Sequence, residues 1–513
     1  MAASEGVPFS KTGGLADVIG ALPAALGANG IEVAVVLPRY RGTKLEGPKS
    51  VAPSLTVPLG DGLHFPAILE AHGSGSIRWF FVDYPLFFDR DSLYVGPNGS
   101  DYPDNPDRFA LFSRCVLEIA KSIFPPDLIH VHDWQAGLVP VLLKTAYAND
   151  SALQGIPTVF TVHNLGYQGL FGQDALFRAG LSPDLFRMDR LEFYGKVNFL
   201  KGALIYSDAI TTVSKKYSQE IQTEEYGFGL DGVLRERSER VHGILNGVDY
   251  SQWDPAADPH IAAHYSGSNL EGKKACKKDL LSQFGLPDTD LESPLLGIVS
   301  RFTRQKGFEL IAEIAERLVG EGVRLVALGN GEAVYEKLFR DLATRNKDKV
   351  GVRVAYDDAL AHKIEAGSDM FLMPSRYEPC GLNQIYSLRY GAVPVVRATG
   401  GLDDTIEDYN PKTGGGTGFK FSGFTGSALQ ETVSRALKVF ANRAEWKKLM
   451  LNGMGKDYSW NASAREYAAL FEQLADGNRT AGSRPEATEA PAKAARVKAP
   501  GGKSKPVNGK KKA

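Results

Sequence analysis

Leu295-Leu-Gly-Ile-Val-Ser300 runs directly into Arg301-Phe-Thr-Arg-Gln-Lys306 and then Gly307-Phe-Glu-Leu-Ile-Ala-Glu-Ile-Ala-Glu-Arg-Leu-Val-Gly320. The first six residues form the short apolar run that a strand buried on both faces requires. In the last fourteen, Leu310, Ile311, Ile314, Ala315 and Leu318 recur at helical spacing. Between strand and helix lie three cations and a glycine. Strand, charged turn, helix is the repeating half of a βαβ unit, and the same rhythm extends in both directions.

Downstream, strands are expected at Val323–Leu328, Val350–Ala355, Met370–Met373 and Val393–Val396. Upstream they fall at Glu32–Leu37, Ile77–Val82, Leu128–His132, Thr158–Val162, Ala209–Val213 and Val241–Leu245. The two series are separated by residues 246–293, rich in Pro, Gly, Ser, Asp and Lys, which read as the domain boundary. The expected fold class is therefore α/β, with two doubly wound parallel-sheet domains facing a cleft lined by strand carboxyl ends and helix N-termini. The expected divisions are 1–250, 251–457, a helical segment 458–476 centred on 462–474, and a disordered basic tail 477–513. Only Met1-Ala-Ala precedes the first loop, too short for an opening strand. Either residues are missing before it or the first sheet lacks a central strand.

Composition narrows the function. The chain has 513 residues, 43% hydrophobic and 23% charged, enough to build large cores. Its formal net charge of −1 is unevenly placed. Residues 477–513 hold ten basic and two acidic side chains, which leaves 49 basic and 58 acidic in the rest. An acidic body argues against a nucleic-acid binder. The three cysteines are far apart and form no CxxC pair, so neither a disulfide framework nor a zinc ribbon is expected. No apolar run approaches the roughly 20 residues of a membrane span, and the start lacks a signal-peptide pattern; a cytoplasmic location is expected.

The chemistry-bearing residues cluster after strands. Lys11-Thr-Gly-Gly-Leu-Ala-Asp17 and Ala398-Thr-Gly-Gly-Leu-Asp-Asp404 match closely, and each opens a helix. Paired glycines let amides approach an anion at a helix N-terminus, so Gly14, and Thr399, Gly400 and Gly401 likewise, are candidate diphosphate contacts, with Lys11 adding charge. The ordinary alternative is two tight turns. Arg301 and Lys306 follow a strand and are placed to neutralise a leaving diphosphate, unless they are salt-bridged within their own loop. In Pro374-Ser-Arg-Tyr-Glu-Pro-Cys-Gly-Leu-Asn383, Glu378 is placed to bind sugar hydroxyls, and the amides of Gly381 and Leu382 to meet phosphate. Cys380 reads as a packing residue. His132, Asp133 and His163 each end a strand and point toward the same cleft or serve as structural residues. Asn246 opens either a turn or a ligand contact. No metal-ligand spacing is present among them.

These segments, with Leu245-Asn-Gly-Val-Asp249 and His132-Asp-Trp134, resemble the bacterial glycogen synthase and plant starch synthase family in order and spacing over about residues 4–471. Tyr386, eight residues after Glu378, resembles the synthase branch; other retaining transferases carry a second Glu there. The resemblance implies a GT-B fold with the last helix returning to the first domain. It also implies transfer of glucose from ADP-glucose to the non-reducing end of an α-1,4-glucan with retention, without metal or other cofactor. By that likeness Lys11, Gly14, Arg301 and Lys306 contact the donor, Glu378 orients the reacting glucose, and Asn246 holds the sugar. Asp17, Asp133 and His163 then shape the glucose and acceptor pocket, and Tyr356 stacks on the base. The rivals are a GT-B enzyme using UDP-glucose or another acceptor, and a catalytically silent glucan-binding protein.

Overall fold

The computed structural model describes residues 1–72 and 77–481, the last five as helix backbone alone. In the first domain the strands of the main sheet are β1 (Ala34–Pro38), β2 (Lys49–Ala52), β3 (Ala67–His72), β4 (Arg78–Asp83), β5 (Ile129–His132), β6 (Thr158–Val162), β7 (Ala209–Thr212) and β8 (Val241–Gly243). They form two ladders, β2-β3-β4-β1 and β5-β6-β7-β8. Pairings β1–β4, β5–β6, β6–β7 and β7–β8 are parallel, whereas β3 runs antiparallel to both β2 and β4.

The missing central strand is present in miniature. Ala2 makes parallel bridges to both Val36 and Val131. Its N–H donates to His130 O (2.8 Å) and its carbonyl accepts from His132 N (3.1 Å), while Ala3 N donates to Val36 O (3.2 Å). Three residues thus join the two ladders into one sheet. Met1–Ala3 occupies the central position between β1 and β5.

The second domain contains β9 (Leu295–Val299), β10 (Arg324–Gly329), β11 (Val350–Val354), β12 (Met370–Met373), β13 (Val393–Arg397) and β14 (Phe419–Phe421). All pair in parallel, in the order β11-β10-β9-β12-β13-β14. The strands expected from sequence lie within about two residues of their observed bounds, because buried parallel strands announce themselves as continuous apolar runs, whereas β2, β3 and β14 have no counterpart in that reading. The order reverses between β9 and β12, so a crevice opens above their carboxyl ends, where Arg301–Lys306 and Pro374–Asn383 begin.

The helices that matter are α1 (Gly14–Ala28), α2 (Lys215–Glu220), α3 (Glu271–Gln283), α4 (Phe308–Gly320), α5 (Asp358–Gly367), α6 (Asn383–Tyr390), α7 (Gly400–Thr405) and α8 (Trp460–Ala481). Residues 246–293 are more than a boundary. Helix α3 packs on α5, and Lys273 is buried with its ammonium donating to the carbonyls of Ala366 (2.9 Å) and Tyr390 (3.0 Å). Asp258, Lys273 and Lys277 of this stretch are buried and hydrogen-bonded, so it is more than a solvated linker.

Helix α8 crosses back. Trp460, Ala464, Tyr467 and Leu470 share one buried cluster with Val18, Ile19, Leu22 and Leu26 of α1. Beside it Val248 pairs with Ser459, so the chain passes the domain junction twice, side by side. The helix extends through Gly477 to Ala481; the rest of the expected disordered tail, 482–513, lies outside the described residues. Among the described residues no helix is long and apolar enough to cross a membrane.

Candidate active site

One cleft of about 1780 Å³ lies between the domains. From the first domain it is lined by Lys11, Gly14, Asp17, Asp133, His163 and Asn246; from the second, by Arg301, Lys306, Tyr356, Glu378, Gly381 and Leu382. Most of the sequence candidates therefore converge on one space.

The first-domain wall is built by the chain leaving the Ala2 bridge and by the ends of β5 and β6. Lys11 Nζ lies 2.7 Å from Asp17 Oδ1, one helical turn into α1. Burial works against the Lys11 charge, but the bond to Asp17 and the nearby Asp17, Tyr356 and Asp358 raise its pKa overall. Tyr356 and Asp358 belong to the other domain, so Lys11 electrically senses the opposite wall. Beneath this loop Thr12 Oγ1 donates to Glu5 Oε2 (2.8 Å), and Thr12 N–H also bonds that oxygen. Glu5 is buried, which pushes its carboxyl up to about 7. Asp133 begins its short helix at φ +53° and accepts from His163 N–H at 2.8 Å. Burial pushes Asp133 up to about 7 and His163 down to about 3, so His163 is a neutral imidazole at physiological pH. His163 Nε2 lies 3.0 Å from His132 Nδ1. His132 itself is fully buried, where a charge is costly and its pKa falls. Asn246 is 6% exposed and, among the described residues, its Oδ1 has no partner.

The second-domain wall centres on a pair that sequence did not join. Lys306 Nζ lies 2.9 and 2.7 Å from the two oxygens of Glu378, and Ser375 Oγ donates to Glu378 Oε2 at 2.8 Å. The pair forms because β9 and β12 are neighbours at the switch point. Lys306 and Glu378 therefore form one ion pair on the cleft wall. Arg301 stays exposed on the same wall, and Tyr356 is 75% exposed at its rim. Gly381 (φ +70°) and Leu382 lead into α6. Cys380 is buried, and burial pushes its thiol up to about 12, which removes it as a nucleophile.

Thr399, Gly400 and Gly401 do not line the cleft. Thr399 Oγ1 (3.0 Å) and Gly400 N–H (3.0 Å) donate to the carboxylate of Glu220, at the end of α2 in the first domain. Gly401 N–H donates to Glu378 O (3.1 Å). The anion met by this second glycine loop is a side chain of the protein, and the loop is an interdomain contact.

Sequence reasoning passed over Glu5, Glu220, Ser375 and Trp253. Trp253 stacks between Tyr386 (3.9 Å, 7°) and His362 (3.6 Å, 11°) on the cleft wall. A tryptophan inside a polar stretch was the available signal.

Comparison with known proteins agrees with this arrangement. Residues 1–236 match the starch synthase catalytic domain model, and 286–448 match glycosyl transferases group 1. The chain is 58% identical over 472 residues to a glycogen synthase of Koribacter versatilis, covering 92% of this chain and 97% of that one. It is 47% identical over 482 residues to a glycogen synthase of Anaeromyxobacter dehalogenans, covering 93% and 98%. The catalytic domain of starch synthase IV from Arabidopsis thaliana, bound to ADP and acarbose, superimposes with a TM-score of 0.85 at 33% identity, covering 93% of this chain and 98% of that one. Sucrose-phosphate synthase from Thermosynechococcus elongatus shares the fold, with a TM-score of 0.57 at 18% identity. Two parallel-sheet domains about one charged cleft, with relatives aligned along nearly the whole chain, place this GT-B glycosyltransferase in the glycogen synthase and starch synthase family.

Proposed function

We propose that the chain transfers glucose from ADP-glucose to the 4-hydroxyl at the non-reducing end of an α-1,4-glucan, retaining the anomeric configuration. The observation that carries this reading is the convergence of Lys11, Arg301 and the Lys306–Glu378 pair on one cleft. As the bond between glucose and diphosphate breaks, the sugar becomes oxocarbenium-like and negative charge builds on the leaving oxygens. Arg301 and Lys306 neutralise that charge from one side, and Lys11 with the N-terminus of α1 from the other. Lys306 turns from Glu378 toward phosphate on donor binding, which frees Glu378 to hold glucose hydroxyls beside Ser375. Gly381 and Leu382 present the start of α6 to the same phosphates.

Neutral His163, with Asp133 beneath its amide, hydrogen-bonds the glucose without adding charge at the anomeric carbon. Asn246 Oδ1 accepts from a sugar hydroxyl, Asp17 borders the pocket after releasing Lys11, and Tyr356 lies against the base. With Cys380 protonated, attack by the acceptor on the same face as the departing phosphate accounts for retention, and that phosphate accepts the acceptor's proton. Side-chain cations supply the neutralisation, so transfer continues in EDTA.

The test is incorporation of labelled glucose into glycogen primer from ADP-glucose and from UDP-glucose, each with EDTA. Primer-dependent incorporation from ADP-glucose that survives chelation is the expected result. Preference for UDP-glucose, loss of activity in EDTA, or a trapped glucosyl adduct on Glu378 or Asp133 would each overturn the corresponding element.

A further inference from the structure

The rim of the cleft carries a second constellation that glucose transfer does not use. Asp358 and His362 are four residues apart on α5 and so share one helix face. His260 approaches from the segment that follows Trp253. One ligand atom from each of His260, Asp358 and His362 lies within 4.8 Å of the others.

The strongest feature is the support behind His362. Its ring is 4% exposed and stacked on Trp253, and its Nδ1 lies 2.7 Å from Asp258 Oδ2. The Asp258 side chain is fully buried; it also accepts from Tyr390 OH (2.5 Å) and, through Oδ1, from His260 N–H (2.8 Å). A carboxylate that accepts a hydrogen bond from Nδ1–H fixes the tautomer and leaves the Nε2 lone pair for a metal, which is how proteins prepare a metal-binding imidazole. The same side chain ties the backbone of His260 to the ring of His362, so one buried residue positions two of the three ligands.

The remaining distance is short. Ligand atoms around a tetrahedral zinc are about 3.3 Å apart, given bonds of roughly 2.0 Å. His260 and Asp358 are both exposed and able to rotate inward. Two other charges face the site. Lys11 looks at Asp358 across the cleft, but its ammonium is held by Asp17. Asp357 is engaged as the helix cap, accepting from Leu360 N–H at 2.9 Å.

The geometry points to a divalent transition-metal site of the zinc class, formed by His260, Asp358 and His362, with an open position toward the cleft. Two imidazoles select against the hard cations magnesium and calcium. The ion fastens residues 254–265, the continuation of the interdomain crossing, to α5 of the second domain. It restrains this segment and is not required for transfer.

The test uses the tag-free full chain, stripped with EDTA and dialysed against zinc chloride or magnesium chloride, with metal content measured per chain. One zinc per chain at micromolar free zinc, no comparable magnesium uptake, and a visible ligand-field band when cobalt replaces zinc are expected. His260→Ala and Asp358→Asn each weaken zinc binding at least tenfold and abolish the cobalt band, while metal-free Tm stays within about 2 °C of the parent. If either variant proves unstable, the other decides. A parent that takes up no zinc, or variants that bind it with unchanged affinity and stoichiometry, would refute the site.

Discussion

The two Thr-Gly-Gly-Leu segments have the same residues, a similar helical start and a carboxylate beneath the threonine, yet they face different surroundings. In the first, Thr12 rests on Glu5 from its own loop, and a Cβ added at Gly14 would meet nothing within 4 Å. In the second, Thr399 and Gly400 grip Glu220 from the other domain, and a Cβ at Gly400 would lie 1.9 Å from Glu378 O. One loop is open to a ligand; the other is closed on the protein. A glycine pair specifies only that backbone comes close to something. What it approaches is decided by the docking of distant elements.

Substitutions can break this contrast. The largest effect is expected at Gly400→Ala. At φ +46° and with no room for a methyl group, it should cost on the order of 4 kcal/mol in urea unfolding. An ordinary, stable variant would mean that the second loop is not closed. Lys11→Ala should leave stability nearly unchanged but lower kcat/KM about 10²- to 10³-fold, the scale for losing one electrostatic donor at a developing anion. A loss confined to acceptor KM would remove Lys11 from the donor side.

Glu220→Gln keeps one acceptor for Thr399 and Gly400 but loses the charge, and should destabilise the domain contact by roughly 1–2 kcal/mol. Calorimetry that resolves the two domains should detect the change as reduced coupling between their transitions. Glu5 gives a pH signature. Folding raises its pKa from 4.5 to about 7, so the native state holds the extra proton in that interval. Stability therefore falls as pH rises from about 4.5 through 7, by up to about 1.4 kcal/mol per unit, and levels off above. Denaturation midpoints across this range should show the slope, and Glu5→Gln should remove its share. The smallest effect is Gly14→Ala, expected to leave Tm unchanged while raising donor KM about tenfold by occupying ligand space. An unaltered KM would mean that nothing binds against Gly14.

The central parallel strands were legible because burial on both faces demands continuous apolar runs, and the charged turns were legible because they follow those strands; β2, β3 and β14, short or only partly buried, carry no such run. Lys306 and Glu378 were each visible as candidates, but their mutual bond was not. It depends on β9 and β12 being neighbours, a property of sheet order that no local pattern encodes. Glu220 lies 179 residues from Thr399 and in the other domain, so only the assembled molecule brings them together. Trp253, Asp258 and Lys273 were submerged in a stretch whose composition reads as solvent-exposed. Buried carbonyls and an aromatic sandwich make that stretch part of the second domain.

The return of α8 to α1 bears on how the molecule is made. Leu22 and Leu26 of α1 share their apolar cluster with Trp460 and Leu470, yet the second domain separates the two helices in sequence. A ribosome releases α1 early, with part of its greasy flank still uncovered, and must complete the whole second lobe before the covering helix emerges. The amino-terminal half therefore remains unfinished on one side for most of translation. Its last seal closes only after the carboxy-terminal half has left the exit tunnel.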